Sequence, residues 1–337
     1  MKKYLFSVLF LSLVITAVPA LPVCFGSGAA ETAKNTGTPA HEAVIPDAEL
    51  SSSEPYRVLD TATGKILLVP VREYVIGAVC AEMPATFEPE ALKAQAVAAH
   101  TYAERQRSLA RSAPDAAPDG ADLSNDTSKY QGYLTNAEIR QAFGKNYDEY
   151  YRRISSAADE VLPYVLTYKG EPIIAAFHSM SSGMTESAEN AWGAPVDYLV
   201  PVESSSDKNA PSYEETVRIG RDELRSRLEA AFDGIQLGED MTKWLKTAEI
   251  SASGTVLTAR AGDRTVTGNE IRTALGLRSA DFDVSFDGDE AVFTTRGYGH
   301  GVGMSQYGAN SMAAAGSTWR EILSHYYPDC SIEKTSD

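Results

Sequence analysis

A chain of 337 residues with a formal net charge of -16 is a poor partner for nucleic acid or an anionic membrane surface, because like charge repels it from both. Its 3 cysteines are too few for a disulfide scaffold and show no zinc-knuckle spacing. The length suits one large domain or two modest ones once the ends are set aside.

The opening, MKKYLFSVLFLSLVITAVPALPVCFG, sets two lysines before an almost charge-free run of about twenty apolar residues, enough to span a bilayer. Residues 1–26, which include Cys24, read as a signal-anchor or a cleaved signal peptide, with the lysine side cytoplasmic and the rest exported. No clean small-residue cleavage site precedes Gly26, which favours the anchor; a cut leader would make the chain secreted. Residues 27–54 are rich in Gly, Ala, Ser, Thr, Pro and acid, and read as a flexible tether.

The folded part opens with a hairpin, Tyr56 to Leu59 and Ile66 to Val69, turned at a Thr-Gly pair. From Val71, the positions Val71, Val75, Ala78, Val79 and Glu82 fall on one helical face. Four are apolar and the fifth is an acid. Pro84 stops the helix, so Glu82 lies in its last turn, at the negative end of the helix dipole and against a low-dielectric wall. Both disfavour its charged form, so its pKa should rise, as general-acid chemistry requires. The structural alternative is a buried acid clamped by an arginine.

A second helix begins with Glu88 as cap, Pro89 at its first position and Glu90 in its first turn. Its inner stripe, Leu92, Ala96, Ala99, His100 and Ala103, is mostly alanine and therefore suits deep burial. His100 is either a paired core histidine or a site residue, with Tyr102 beside it. Residues 108–128, with APDAAPDGAD inside, read as a solvated loop, disordered or serving as a lid. Gln131 and Tyr133 open a mixed segment before a helix at 147–161. A hairpin follows, Tyr164 to Tyr168 and Pro172 to Phe177, turned at Lys169-Gly170.

The second strand of that hairpin feeds FHSMSSGMTESAENAW, which holds His178, Ser179, Ser181, Ser182, Thr185 and Glu186. Such a loop is either a mounted site or a serine-rich cap for the next helix. Residues 213–281 alternate strands and helices (helix 221–232, strands in 248–261, helix 269–275) without a chemical cluster, and read as a supporting lobe. A hairpin over 282–295, bent at Asp287-Gly288, ends at RGYGHGVGMSQYGA, where glycines surround His300. Glycine density of this kind lets backbone N–H groups line a concave site; no Walker or dinucleotide pattern is present. The chain closes with a helix at 318–327. The fold class is α+β: mixed helices and antiparallel hairpins forming a main domain with a smaller lobe and a groove between them.

Three chemistries compete. A Ser-His hydrolase lacks the G-x-S-x-G elbow. A zinc hydrolase would need a set such as His178, Glu186 and His300, without any H-E-x-x-H pair. Acid-catalysed cleavage of a glycosidic bond by Glu82 needs one carboxyl if the sugar's own hydroxyl replaces water.

The blocks AEMPATFEPEALKAQAVAAHTYA, FHSMSSGMTESAENAW and GYGHGVGMSQYGANSMAAAG with ILSHYYPD together resemble the sporulation stage II protein D family over roughly residues 56–332. The resemblance implies a catalytic domain at 55–334, anchored extracytoplasmically in the mother-cell membrane. It implies lytic transglycosylase activity during engulfment: cleavage of the MurNAc-GlcNAc bond of peptide-stripped peptidoglycan, leaving 1,6-anhydro-MurNAc ends. Glu82 takes the family's catalytic position. Sugar-binding positions would include His100, Tyr102, Gln131 and Tyr133. In the later blocks they would be His178, Ser179, Ser181, Thr185 and Glu186, then His300, Gly303, Ser305 and Gln306. The implied partners are a cell-wall amidase or endopeptidase and a membrane partner of the engulfment machinery.

Two departures stand out. Position 100 is histidine where the family motif has arginine, and Ser182 replaces a glycine. The zinc site of some relatives would need a Cys/His cluster after the second helix; none is present, so neither metal nor cofactor is expected. Related chains act as amidase enhancers, which leaves a non-catalytic glycan-binding enhancer as the second reading. Cys80 and Cys330 either pair after export or remain separate thiols.

Overall fold

The computed structural model describes residues 54–335. The leader and all but the last residue of the tether lie outside the described residues. Tyr56–Asp60 (β1) and Lys65–Val69 (β2) form the expected antiparallel hairpin, and Val71–Glu82 (α1) and Pro89–Ser112 (α2) follow. Glu88 holds the cap position of α2 but makes no side-chain capping bond, while Pro89 and Glu90 fill the first turn. Ala94, Ala96, Ala98 and Ala99 are all shielded from solvent, so α2 is buried on every side rather than along a stripe. Short side chains allow this, because neighbouring backbones come close on all flanks.

Residues 108–128 are neither lid nor free loop. Helix α2 runs on to Ser112, and Leu123–Ser124 (β3) joins β1 as a short parallel strand. Ala121 and Leu123 are fully buried, and Asp122 accepts the Arg57 backbone N–H at 2.9 Å. Two apolar residues in a polar stretch are enough to pin it. Asn136–Phe143 (α3) is a helix that the spacing of apolar residues does not announce; Thr135 and Glu138 close a capping box at its start. Tyr147–Val161 (α4) and Tyr164–Tyr168 (β4) stand where expected. The return strand is shorter than expected, pairing only over Glu171–Pro172 (β5), because Ile174 gives its N–H to the Tyr198 hydroxyl instead. Phe177–His178 (β6) then leads to Ala188–Trp192 (α5), capped by the Ser187 hydroxyl.

The lobe contains Glu214–Gly220 (β7), Arg221–Ala231 (α6), Leu245–Ile250 (β8), Val256–Ala261 (β9), Arg264–Thr267 (β10) and Gly268–Leu275 (α7). It also contains Phe282–Asp287 (β11) and Glu290–Arg296 (β12), since β12 pairs with β7 and the lobe's own core includes Phe282, Ala291 and Phe293. The lobe therefore runs past residue 281, to Arg296. Its apolar centre, with Leu224, Leu228, Trp244 and Ile271, is separate from that of the main domain.

The chain then returns to the main domain. Met304–Ser305 (β13) pairs in parallel with β6, placing His178 opposite Ser305. Gln306–Ala314 (α8) and Trp319–Tyr326 (α9) pack on α2, and Ser331–Lys334 (β14) pairs with β4. Cys80 and Cys330 are separate free thiols. Helices and mostly antiparallel sheets in two lobes make the expected α+β fold. A concavity on the smaller lobe, lined by Lys243, Trp244, Val284 and Phe286 among others, contains none of the motif residues.

Candidate active site

Pro84 ends α1 as expected and leaves Glu82 as its last residue, half-buried. One carboxylate oxygen accepts the Gly132 N–H at 2.7 Å. A Cβ on Gly132 would lie 2.8 Å from that oxygen, so only glycine lets the crossing chain come this close. Burial pushes the Glu82 pKa up to about 7, against the opposing pull of the Gly132 bond. No cation among the described residues pairs with it, which removes the arginine-clamped alternative. Nor does any neighbouring carboxylate shift it.

Around this carboxyl lie phenols and amides. Burial raises the pKa values of Tyr74 and Tyr102, and the nearby Glu82 charge pushes them further. The Gln131 amide donates to the Tyr74 hydroxyl and the Ala99 carbonyl, both at 3.1 Å. Tyr133 stacks on Tyr74 with centroids 5.1 Å apart. From far along the chain, Gln306 at the start of α8 donates its amide to the Glu82 carbonyl at 3.0 Å. That bond satisfies one of the orphan carbonyls at the end of α1 and ties the glycine-rich block to the acid. Gly132 and Tyr74 belong to this site although sequence reasoning passed over them. Gly132 sits between the flagged Gln131 and Tyr133, which was the available signal.

Several other expected contact residues have their side chains engaged within the fold. His100 is fully buried; Nδ1 lies 3.1 Å from the Tyr164 carbonyl and Nε2 lies 3.6 Å from Glu104. Glu104 also accepts the Tyr56 hydroxyl at 2.6 Å and sits 3.4 Å from Arg107. The carboxylate that a histidine at position 100 would need is thus present, but inside the core and away from solvent. Ser181 gives both its N–H and its hydroxyl to Asp207, at 2.7 and 2.6 Å, and Ser305 gives its hydroxyl to the other oxygen at 2.9 Å. Thr185 accepts the Val202 N–H, and buried Glu186 is held by Ser251, Ser187 and Asn190. The side chains of Ser181, Thr185, Glu186 and Ser305 are therefore spent internally. Gly303 is buried too, and its Cβ would collide with the Ala176 carbonyl at 2.0 Å. Ser179 gives its carbonyl to the Tyr307 N–H at 3.0 Å.

The histidines form a second cluster. The His178 Nδ1 lies 3.1 Å from the Val302 carbonyl, so the neutral ring carries its proton there and leaves Nε2 as an acceptor. That Nε2 is buried without a partner. The His300 Nδ1 accepts the Val302 N–H at 3.0 Å, and its ring lies 5.7 Å from that of His178 and 5.5 Å from Trp192. Burial pushes His178 down to about 4 and His300 well below its usual range, and Arg272 on α7 pushes both the same way. Both rings are neutral near pH 7. Ser305 has an acid rather than a histidine as its partner, so no nucleophile–base pair exists here. The oxygens of Glu186 are taken, so His178, Glu186 and His300 do not assemble as a ligand set.

One prediction follows from the crossing at Gly132. Gly132→Ala should push the Glu82 carboxyl aside, lowering any activity that depends on it by about 10-fold to 100-fold. The stability cost should be only about 1–3 kcal/mol, as for other overpacked sites. Paired activity and denaturant measurements check both numbers.

A lone carboxyl with its pKa raised to about 7, set among phenols and amides, defines a single-acid type of site. The chain matches the stage II sporulation protein family model over residues 60–168. It is 40% identical over 277 residues to the stage II sporulation protein D of Bacillus subtilis (strain 168), across 82% of this chain and 78% of that protein. To the stage II sporulation protein D of Bacillus amyloliquefaciens it is 36% identical over 345 residues, 99% of this chain and 96% of that one. The amidase enhancer of Bacillus subtilis (strain 168) is 26% identical over 307 residues, 76% of this chain and 40% of that protein. The chain belongs to the stage II sporulation protein D family.

Proposed function

We propose that this protein is a lytic transglycosylase that cuts the MurNAc-GlcNAc bond of peptide-stripped peptidoglycan, with Glu82 as its only acid and base. The observation that carries this reading is one carboxyl with a pKa raised to about 7 and, among the described residues, no carboxylate or cation shifting it. Hydrolases of glycosidic bonds ordinarily use two carboxylates, one to protonate and one to attack or to activate water. A site with one must find its nucleophile in the substrate. Glu82 protonates the bridging oxygen, and the C1–O bond breaks. The 6-hydroxyl oxygen of the same muramoyl ring then attacks C1, while the Glu82 carboxylate takes its proton. The acid is regenerated, no water is consumed, and the product is a 1,6-anhydro ring. Tyr102 and Tyr133 offer faces and hydroxyls to the sugar, while Gln131 and Gln306 fix the surroundings of the acid.

We place the folded part outside the cytoplasm, tethered by residues 1–26. Among the described residues no helix is long and apolar enough to cross a membrane. Its partners would be stripped glycan strands, the amidase that strips them and a membrane protein of the engulfment machinery.

The test is product chemistry. Purified full chain in detergent, mixed with peptide-free strands, should yield 1,6-anhydro-muramoyl ends by mass spectrometry. Ordinary reducing ends, heavier by one water, would overturn the mechanism. The similarity to an amidase enhancer favours a second reading, in which the chain binds strands and accelerates an amidase without cutting. That reading predicts strand binding with no new ends at all.

A further inference from the structure

One residue, Val302, fixes two histidine rings through its carbonyl and its N–H. The carbonyl accepts the His178 Nδ1–H at 3.1 Å, and the N–H donates to the His300 Nδ1 at 3.0 Å. Both tautomers are thereby set, and the His178 Nε2 can only accept. Glycine lets the chain bring the second ring this close: a Cβ on Gly299, at φ +117°, would lie 2.7 Å from the His178 Cβ. Trp192, the last residue of α5, sets its ring centre 5.5 Å from that of His300, which in turn lies 5.7 Å from that of His178.

Two polar atoms of this aromatic cluster have no partner among the described residues. The His178 Nε2 is a buried acceptor and the Trp192 Nε1–H a buried donor, and His178 is only 3% exposed. Leaving either unmet costs free energy, and buried polar groups are normally bonded. A single group that meets both must accept from the indole and donate to the imidazole. A carboxylate only accepts and an ammonium only donates, so neither fits. A hydroxyl does both but offers no flat face. A secondary amide does both within one plane, and that plane suits the three surrounding rings. The Trp192 and His300 side chains are half-buried, so the cluster borders the surface. It also adjoins the Glu82 site: His178 pairs with Ser305 across β6 and β13, and the next residue, Gln306, donates to the Glu82 carbonyl.

We propose that Trp192 and His178 form an acetamido subsite: the indole N–H donates to the carbonyl of a sugar N-acetyl group, and the amide N–H of that group donates to the His178 Nε2. This rests on the glycan reading of Glu82. Both nitrogens are covered in the free protein, so the half-buried indole shifts outward to admit the group. MurNAc and GlcNAc units each carry an acetamido group, and stripping the peptides leaves it in place. The subsite thus reads the acetylation of the strand rather than its peptides.

Full chain in detergent carrying Glu82→Gln, which binds strands without cutting them, provides the test. Affinity is measured for stripped strands, for the same strands N-deacetylated, and for deacetylated strands acetylated again. High salt screens the amines that deacetylation creates. The acetylated and re-acetylated strands should bind about 10-fold to 100-fold more tightly, since an ammonium can still donate to His178 but leaves the indole N–H unmet. Adding Trp192→Phe should weaken binding of acetylated strands to the deacetylated level and so remove the preference. Phenylalanine keeps an aromatic ring and deletes a donor that has no partner inside the protein, so thermal melting should show the variant folded. The indole N–H is itself a readout. The chain has 3 tryptophans, and the Trp192 signal in a nitrogen–proton NMR spectrum is identified by its loss in Trp192→Phe. That signal should move when acetylated strands are added and stay still with deacetylated ones. In the chain with Glu82 intact, Trp192→Phe should raise KM and spare kcat. Equal binding of all three strands, a preference that survives Trp192→Phe, or an indole signal that ignores acetylated strands would overturn the subsite while leaving the Glu82 reading intact. Absence of any strand binding by every variant would overturn the glycan reading and this proposal with it.

Discussion

The Glu82→Gln variant is expected to lose strand cleavage by a factor on the order of 10² to 10⁴, the usual contribution of a positioned acid–base group. It is also expected to be more stable than the parent above pH 7. The two results have one cause. Burial raises the Glu82 pKa to about 7 from an ordinary 4.5. Between those values the folded protein holds a proton that the unfolded chain has released, so stability falls as pH rises through this window. The full penalty, reached above the folded pKa, is on the order of 3 kcal/mol. Glutamine cannot ionise, so it escapes the penalty and can keep the bond from Gly132 through its carbonyl oxygen. At pH 4 the two proteins should melt alike; at pH 8 the variant should melt higher. Activity of the parent should fall about tenfold per pH unit above 7, as the proton needed for the first step is lost. A variant that cuts as well as the parent would remove Glu82 from the chemistry, whatever its melting curve.

Much of this was readable from local pattern. Glu82 announces itself because an apolar helical stripe ends in an acid two residues before a proline, and nothing distant is needed to see it. The same holds for the burial of His100 among alanines and for the hairpins flanked by Thr-Gly, Lys-Gly and Asp-Gly. What stayed hidden depends on partners far apart in the chain. Nothing near Gly132 says that its N–H meets a carboxyl 50 residues earlier. The serine-rich block looks like a ring of hydroxyls offered to a ligand, but whether a hydroxyl faces out or in depends on an acid elsewhere. That acid, Asp207, sits in the polar run ESSSDKN, which has the composition of a surface loop. Trp192 ends a short helix, and only the glycine-rich block, returning from far along the chain, brings His300 against it. Spacing reports which face of an element is buried, but not which polar groups will meet there.

Asp207→Ala should be the most damaging single change outside the apolar cores. The side chain is fully buried. One oxygen takes two donors from Ser181 and the other takes the Ser305 hydroxyl. Packing around it is tight: a Cβ on Gly308 would lie 2.0 Å from the Tyr326 hydroxyl and 3.0 Å from Asp207 itself. Alanine would leave those buried donors without their acceptor, at a cost of about 3–5 kcal/mol. For a folded part of this size that corresponds to a fall in Tm of roughly 5–9 °C. Asp207→Asn separates the lost acceptor from the lost charge. Its carbonyl can still receive both Ser181 donors. Its amide can donate to the Ser305 oxygen, whose own proton can turn to the Ser179 carbonyl 3.5 Å away. Burial already raises the Asp207 pKa despite its hydrogen bonds, so giving up the charge should cost little. Asparagine should therefore recover most of the stability, and calorimetry of the two variants side by side reads this directly. Because Ser305 precedes the glutamine that holds the end of α1, Asp207→Ala should also loosen Glu82 and weaken strand binding at temperatures where the fold still stands. Equal losses in both variants would mean that the charge, rather than the acceptor geometry, holds the serine block in place.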